Sequence, residues 1–144
     1  MYIIIFEMEN FLIFISQNFL PFLLFVSLLI FLFYYEGRKG GRRVDNLEAT
    51  RIINKDNGLV VDLRTAGEFS EGHLVSAINV LPENIIEQIN TLNTNKDAQV
   101  LLVCKTGSTS KKVGLLLKKE GYENINILSG GMLNWSNSGL PTSK

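Results

Sequence analysis

Three short, nearly unbroken apolar runs constrain this chain most: Leu59–Leu63 (L-V-V-D-L), Val100–Val103 (V-L-L-V) and Ile125–Leu128 (I-N-I-L). A strand that is apolar at successive positions is buried on both faces. Ala77–Val80 reads as a further short strand. Helical patterns fill the intervals. Asp45 followed by Glu48 fits a capping box opening a helix with Leu47, Ile52 and Ile53 as apolar positions, and Asp56-Asn57-Gly58 ends it. Thr65 to Glu71 reads as a short helix and Gly72-His73 as a turn, while Pro82 opens a helix with Ile85, Ile86 and Ile89 as its buried stripe. Val113, Leu116 and Leu117 mark one side of a helix that Gly121 stops, and Gly130-Gly131 leads into a helix carrying Trp135. Strands alternating with helices predict an α/β fold: a central parallel sheet flanked by helices on both faces.

The chemistry concentrates between Gln99 and Leu117. The only cysteine, Cys104, stands at the end of the Val100–Val103 strand and is followed by K-T-G-S-T-S and then a helix. That geometry sets a sulfur above loop amides and a helix N-terminus, which stabilise a thiolate and bind anions. A lone cysteine beside an apolar strand is equally an inert core residue. A single cysteine excludes an internal disulfide and a Cys-rich zinc site, and suits a reducing compartment.

Upstream, Phe19 to Tyr35 carries no charge. As a helix it covers about 26 Å at about 1.5 Å per residue, against a hydrocarbon core of about 30 Å. Extension back to Phe11 closes that gap, with Ser16, Gln17 and Asn18 near one interface and Tyr34 and Tyr35 at the other. Glu7 and Glu9 stand where a signal peptide needs basic residues, and no small-residue cleavage site follows. An interfacial helix would need a polar face, which this segment lacks. The expectation is one transmembrane anchor over 11–35, after a short tail, 1–10. Arg38, Lys39, Arg42 and Arg43 follow the span and no basic residue precedes it. The positive-inside rule then sets the C-terminal domain in the cytoplasm, with the N-terminus outside the plasma (inner) membrane. Residues 36–43, with three glycines, read as a basic flexible linker. From Val44 onward the chain is nearly neutral and slightly acidic, the whole being formally neutral with pI near 6.6, and nothing points to nucleic acid.

These stretches together resemble the rhodanese-like domain family. V-V-D-L-R-T-A-G-E-F-S-E-G-H-L-V-S-A-I-N-V is similar to its first signature, L-L-V-C-K-T-G-S-T-S to its active-site loop, and L-S-G-G-M-L-N-W-S-N-S-G-L-P to its C-terminal signature. The resemblance covers 44–141, leaving 142–144 as a tail, and with the anchor it extends to membrane-attached single-domain rhodanese-like proteins of bacteria. It implies a sulfurtransferase that needs no cofactor or metal. The cysteine would take sulfane sulfur from thiosulfate or a persulfide, hold it as a persulfide, and pass it to a thiol acceptor. Cys104 would be the nucleophile. The amides of Lys105, Thr106, Gly107, Ser108, Thr109 and Ser110 would cradle the substrate, with Gly107 giving the loop its tight curvature.

Other marked residues read as structural support. Asp62 and Arg64 form an ion pair at the end of a central strand, and His73, the single histidine, is a hydrogen-bonding turn residue rather than a general base. Family loops often read C-x-x-G-x-R-[ST], and here the arginine position holds Thr109. Lys105, Lys111 and Lys112 could compensate only as point charges. Phosphatases on this fold need an arginine where this chain has Ser110, which disfavours that activity. The alternative to an enzyme is a tethered binding module that recruits a membrane-protein or cytosolic partner with little turnover.

Overall fold

In the computed structural model the chain divides into two units, Met1–Gly37 and Arg38–Lys144. The structure describes residues 2–38, 40–54, 58–92 and 94–144; the side chains of 2–7, 12, 15, 33 and 36–38 fall outside that set. The first unit holds α1 (Tyr2–Gln17) and α2 (Phe19–Arg38). Helical hydrogen bonding continues past Asn18, whose N–H reaches Phe14 O at 3.0 Å and whose carbonyl accepts from Phe22 at 3.0 Å. The segment expected as a short tail, 1–10, therefore lies within α1 from Tyr2 onward. Among the described residues no helix is long and apolar enough to cross a membrane. The described apolar run of α2 from Phe19 to Leu32 covers about 21 Å at about 1.5 Å per residue.

The second unit is an α/β layer structure. Its elements are β1 (Arg42–Val44), α3 (Asn46–Asn54), β2 (Leu59–Asp62), α4 (Ala66–Glu71), β3 (Ile78–Asn79), a 3₁₀ turn (Pro82–Asn84), α5 (Ile85–Thr91), β4 (Val100–Val103), α6 (Ser108–Lys119), β5 (Ile125–Leu128) and α7 (Gly131–Asn137). The five strands are ordered β1-β5-β4-β2-β3 and every pairing is parallel. Each apolar strand splits its residues between two cores, as the period of two demands. Val61, Val100 and Leu102 join Ile85, Ile89, Val113 and Leu117 on the α5/α6 side. Val60, Leu101, Val103 and Leu128 join Ile52, Met132 and Trp135 on the α3/α7 side. Trp135 packs the last helix as expected, its Nε1 donating to Pro141 O at 3.1 Å.

Local signals were realised unevenly. Asp45 caps α3 through Oδ1, which accepts from Glu48 N at 2.8 Å, but Glu48 turns to Arg42 and Arg51, each at 3.4 Å, instead of closing the box. The complete box belongs to α4, between Thr65 and Glu68. The expected stop at Asp56-Asn57 lies outside the described residues, as does Lys39 of the basic cluster. The strand expected over Ala77–Val80 contracts to Ile78–Asn79, and Pro82 opens a 3₁₀ turn before α5. Leu47 and Leu116, assigned to apolar faces, are exposed.

The largest correction concerns the linker. Its last two residues begin β1, which pairs with β5 in the register Arg43 to Ile127, and Gly40 and Gly41 are buried. Gly114, inside α6, leaves room for the Gly40 carbonyl, which occupies the place a Cβ would take. The chain is thus tied to the sheet before residue 44. At the far end Ser143, expected in a tail, exchanges backbone hydrogen bonds of 2.9 Å with His73. A chain beginning at Arg38 should fold and stay in solution. One beginning at Asp45, which loses β1 and the fully buried Val44, should lose about 2 kcal/mol or more in urea denaturation.

Candidate active site

β4 is flanked on both sides, and its four residues have no exposure, so the chain leaves the sheet in the interior and its polar groups need protein partners. Leu63 N donates to Val103 O at 2.8 Å. The carbonyls of Cys104 and Lys105 accept from Met132 N at 2.9 Å and Leu133 N at 3.2 Å, the first-turn amides of α7. Gly131 makes this approach possible: its φ is 60°, and a Cβ there would collide with the Cys104 and Lys105 carbonyls. The loop therefore curls with its carbonyls toward α7 and its later amides toward the thiol.

Gly107, at φ 93°, caps α6 in the left-handed region, where a side chain is strained. Its N–H donates to Cys104 Sγ at 3.1 Å. Cys104 is 4% exposed and belongs to the α5/α6 core. Burial on its own pushes the thiol up. The hydroxyl and amide of Ser110 and the amides of Thr106 and Gly107 outweigh it, holding the thiol below its ordinary value. An inert core cysteine would be shifted the other way, and these surroundings favour a thiolate on Cys104. Ser110 is wholly buried, and its Oγ has no hydrogen-bond partner of regular geometry.

One of the three lysines expected to compensate at the rim is paired. Lys105 Nζ lies 3.5 Å from Glu68 Oε1, so this expected compensating charge is paired. Glu68 is fixed by Thr65, whose hydroxyl and backbone hold its carboxyl below the usual carboxylate range. Thr109 is half-buried, Ser108 and Thr106 are exposed, and Thr109 offers a hydroxyl where a guanidinium would reach.

The supporting residues form their own network. Asp62 is fully buried and meets Arg64 in a two-pronged pair, Nη2–Oδ2 at 2.7 Å and Nε–Oδ1 at 3.0 Å. Arg64 Nη2 also donates to Gly72 O at 2.7 Å, and Asn79 Nδ2 reaches the carbonyls of Asp62 and Arg64 at 3.1 and 2.8 Å. His73 stacks on Phe69 with ring centroids 3.8 Å apart, and its Nδ1 lies 3.0 Å from Phe69 O. With that nitrogen occupied and its backbone bridged to Ser143, His73 serves the turn. Sequence reasoning missed Glu68, Asn79 and the Gly131–Leu133 amides. Only the G-G pair signalled the last of these, because the contacts join residues far apart in the chain.

No metal-binding group of three or more His, Cys, Asp or Glu residues occurs among the described residues. The model of the rhodanese-like domain matches residues 45–138. The chain belongs to the rhodanese-like domain family. The uncharacterized protein YibN of Escherichia coli (strain K12) is 36% identical over 95 residues, covering 65% of this chain and 66% of that protein. The chain thus matches about two thirds of YibN's length. A protein of Allochromatium vinosum named sulfurtransferase is 32% identical over 91 residues, 63% of this chain and 83% of that one. The crystal structure of a rhodanese-related protein from Thermoplasma volcanium superposes with a TM-score of 0.60 at 24% identity, covering 71% of this chain and 97% of that one; it shares the fold.

For this rhodanese-like domain, alkylation rate against pH should give a Cys104 midpoint below the ordinary ~8.5. The sign for stability follows. Between the folded midpoint and about 8.5 the unfolded chain holds one more proton, so stability rises with pH across that window. The gain is complete above about 8.5 and is lost as pH falls through the folded value. Urea denaturation of the wild type should show this slope, and Cys104→Ser should remove it.

Proposed function

We propose that this protein is a membrane-anchored sulfurtransferase that carries sulfane sulfur on Cys104. One observation carries the reading: a nearly buried thiol that its loop amides and Ser110 hold below the ordinary value, against the effect of burial. Cys104 thiolate attacks the outer sulfur of a donor persulfide. The donor's S–S bond breaks, the donor thiolate leaves with the electron pair, and a Cys104 persulfide forms. Thiosulfate would release sulfite in the same way. An acceptor thiolate then attacks the outer sulfur and Cys104 thiolate departs, with no net redox change. The amide cradle stabilises whichever sulfur anion occupies it.

The rim selects the donor. A doubly charged anion entering the loop would lose hydration that a guanidinium fork normally replaces. Thr109 supplies only a hydroxyl, and Lys105 is paired with Glu68. Donors that deliver sulfur as a protein or small-molecule persulfide are therefore favoured over thiosulfate. Intact mass after persulfide treatment should show one added sulfur, about 32 Da, reversed by reductant and absent in Cys104→Ser. Thr109→Arg should raise kcat/KM with thiosulfate about tenfold or more, as one charge-assisted pair of about 1.5–3 kcal/mol allows, with little change for a persulfide donor. Fast thiosulfate turnover in the wild type, unchanged by Thr109→Arg, would overturn this account of the rim. The same uncompensated rim favours the second reading, a tethered binding module. No added mass with any sulfur donor would support it.

The anchor and its orientation belong to the same proposal. What supports it is the uncharged sequence from Phe19 to Tyr35, about 26 Å as a helix at about 1.5 Å per residue, on which Phe19, Leu20, Leu24, Phe25 and Ile30 are exposed. The basic residues Arg38, Lys39, Arg42 and Arg43 follow it. Protease added outside spheroplasts should leave the rhodanese-like domain intact, and its digestion would reverse the orientation.

A further inference from the structure

α6 carries four lysines and no acidic residue. From Val44 onward the sequence has ten Lys or Arg and eleven Asp or Glu, so outside α6 six bases face eleven acids. Lys112, Leu116 and Lys119 are exposed and fall at i, i+4 and i+7, one stripe of the helix, while Val113 and Leu117 turn to the core. Lys111 and Lys118 flank Gly114, where the Gly40 carbonyl crosses the helix. Val44 points to the α3/α7 core, so Arg43, one residue before it, turns to the α6 side, and it is exposed. Arg43, Lys111, Lys112, Lys118 and Lys119 make no ion pair among the described residues. Helix stability accounts for two of them: Lys118 and Lys119 complement the negative end of the dipole, whereas Lys111 and Lys112 stand toward the positive end. Tyr35 and Gly40 are five residues apart, so at most about 18 Å of chain joins the end of the proposed anchor to the crossing on α6.

We propose that the outer face of α6, with Arg43 beside it, docks on the anionic surface of the membrane that holds the anchor. Under the anchor reading, on which this part rests, the short tether keeps that face at high local concentration over lipid, so weak contacts suffice. The lysines reach headgroup phosphates with their stems along Leu116, which enters the boundary between headgroups and acyl chains. An acidic soluble partner would meet the same charges but would gain nothing from the tether. α6 starts where the active loop ends, so docking this face keeps the loop near the membrane surface. The alternative is a solvated face whose lysines serve solubility alone.

The test uses the full chain carrying Cys104→Ser, with an environment-sensitive fluorophore on Leu116→Cys, in vesicles of phosphatidylcholine alone or with about one third phosphatidylglycerol. In anionic vesicles the emission should shift to the blue and be quenched by spin-labelled lipid; in neutral vesicles, or in about 0.5 M salt, it should not. The same probe on Leu47→Cys, exposed on α3 across the sheet, should report water in both. Lys112→Glu together with Lys119→Glu should lower the docking equilibrium about tenfold or more. If a cysteine variant does not fold, amine acetylation of the wild type gives the answer: Lys112 and Lys119 should be protected in anionic vesicles and Lys144 should not. Burial of Leu116 in both lipids alike, or in neither, overturns the proposal. Extraction with alkaline carbonate separates that failure from failure of the anchor. Protein retained by the vesicles with Leu116 in water refutes docking and leaves the anchor standing. Charge-dependent burial in protein that carbonate releases refutes the anchor and leaves docking standing.

Discussion

The constraint on which the rest depends is the satisfaction of backbone polar groups where β4 ends inside the protein. Val100 to Val103 have no exposure and neighbours on both sides, and Cys104 is buried after them, so the backbone groups where the chain leaves the sheet need protein partners. The carbonyls of Cys104 and Lys105 go to the first amides of α7, and Gly107 N goes to the sulfur. A peptide chain has one donor and one acceptor per residue. Committing the carbonyls to one side leaves amides on the other, and these surround Cys104. The anion site is a consequence of closing the loop against Gly131.

A second layer holds the loop's surroundings in place. The buried Asp62–Arg64 pair is not needed for a stable sheet, since apolar residues of like size would serve as well or better. What it does is directional. Arg64 reaches Gly72 O, Asn79 ties both residues' carbonyls to β3, and the His73–Ser143 bridge closes the chain's end over the same turn. Glu68, on the helix this network positions, reaches Lys105 in the active loop. Structural charges thus set the electrostatics of the rim without touching the sulfur.

The site that results sets neutral donors around the sulfur, and Lys105 on its rim is paired with Glu68. Amides and a hydroxyl favour a small, singly charged sulfur anion at short range and cost no reorganisation. This division between inner cradle and outer rim is what the proposed preference for persulfide donors rests on.

Much of this was determined by sequence alone. The runs L-V-V-D-L, V-L-L-V and I-N-I-L predict buried parallel strands because a continuous apolar run has no solvent face, and all three are strands of the sheet. Cys104 at a strand end before a glycine-bearing turn predicts an amide-lined sulfur by local geometry, and the thiol is held low by those amides. The tertiary structure alone decided the remainder. β1, R-R-V, is an edge strand too short and too polar to announce itself; its pairing with β5 joins residues about eighty positions apart. The complete capping box at Thr65 instead of Asp45 follows from Glu48 finding Arg42 and Arg51 nearer at hand. Pairing of Lys105 by Glu68, the seat of Gly131 on the cysteine's carbonyl, and the burial of the Ser110 hydroxyl likewise depend on elements brought together by folding. Period and turn chemistry act within a few residues and can be read along the chain; which partner a charge or a hydroxyl meets is set by how the layers pack.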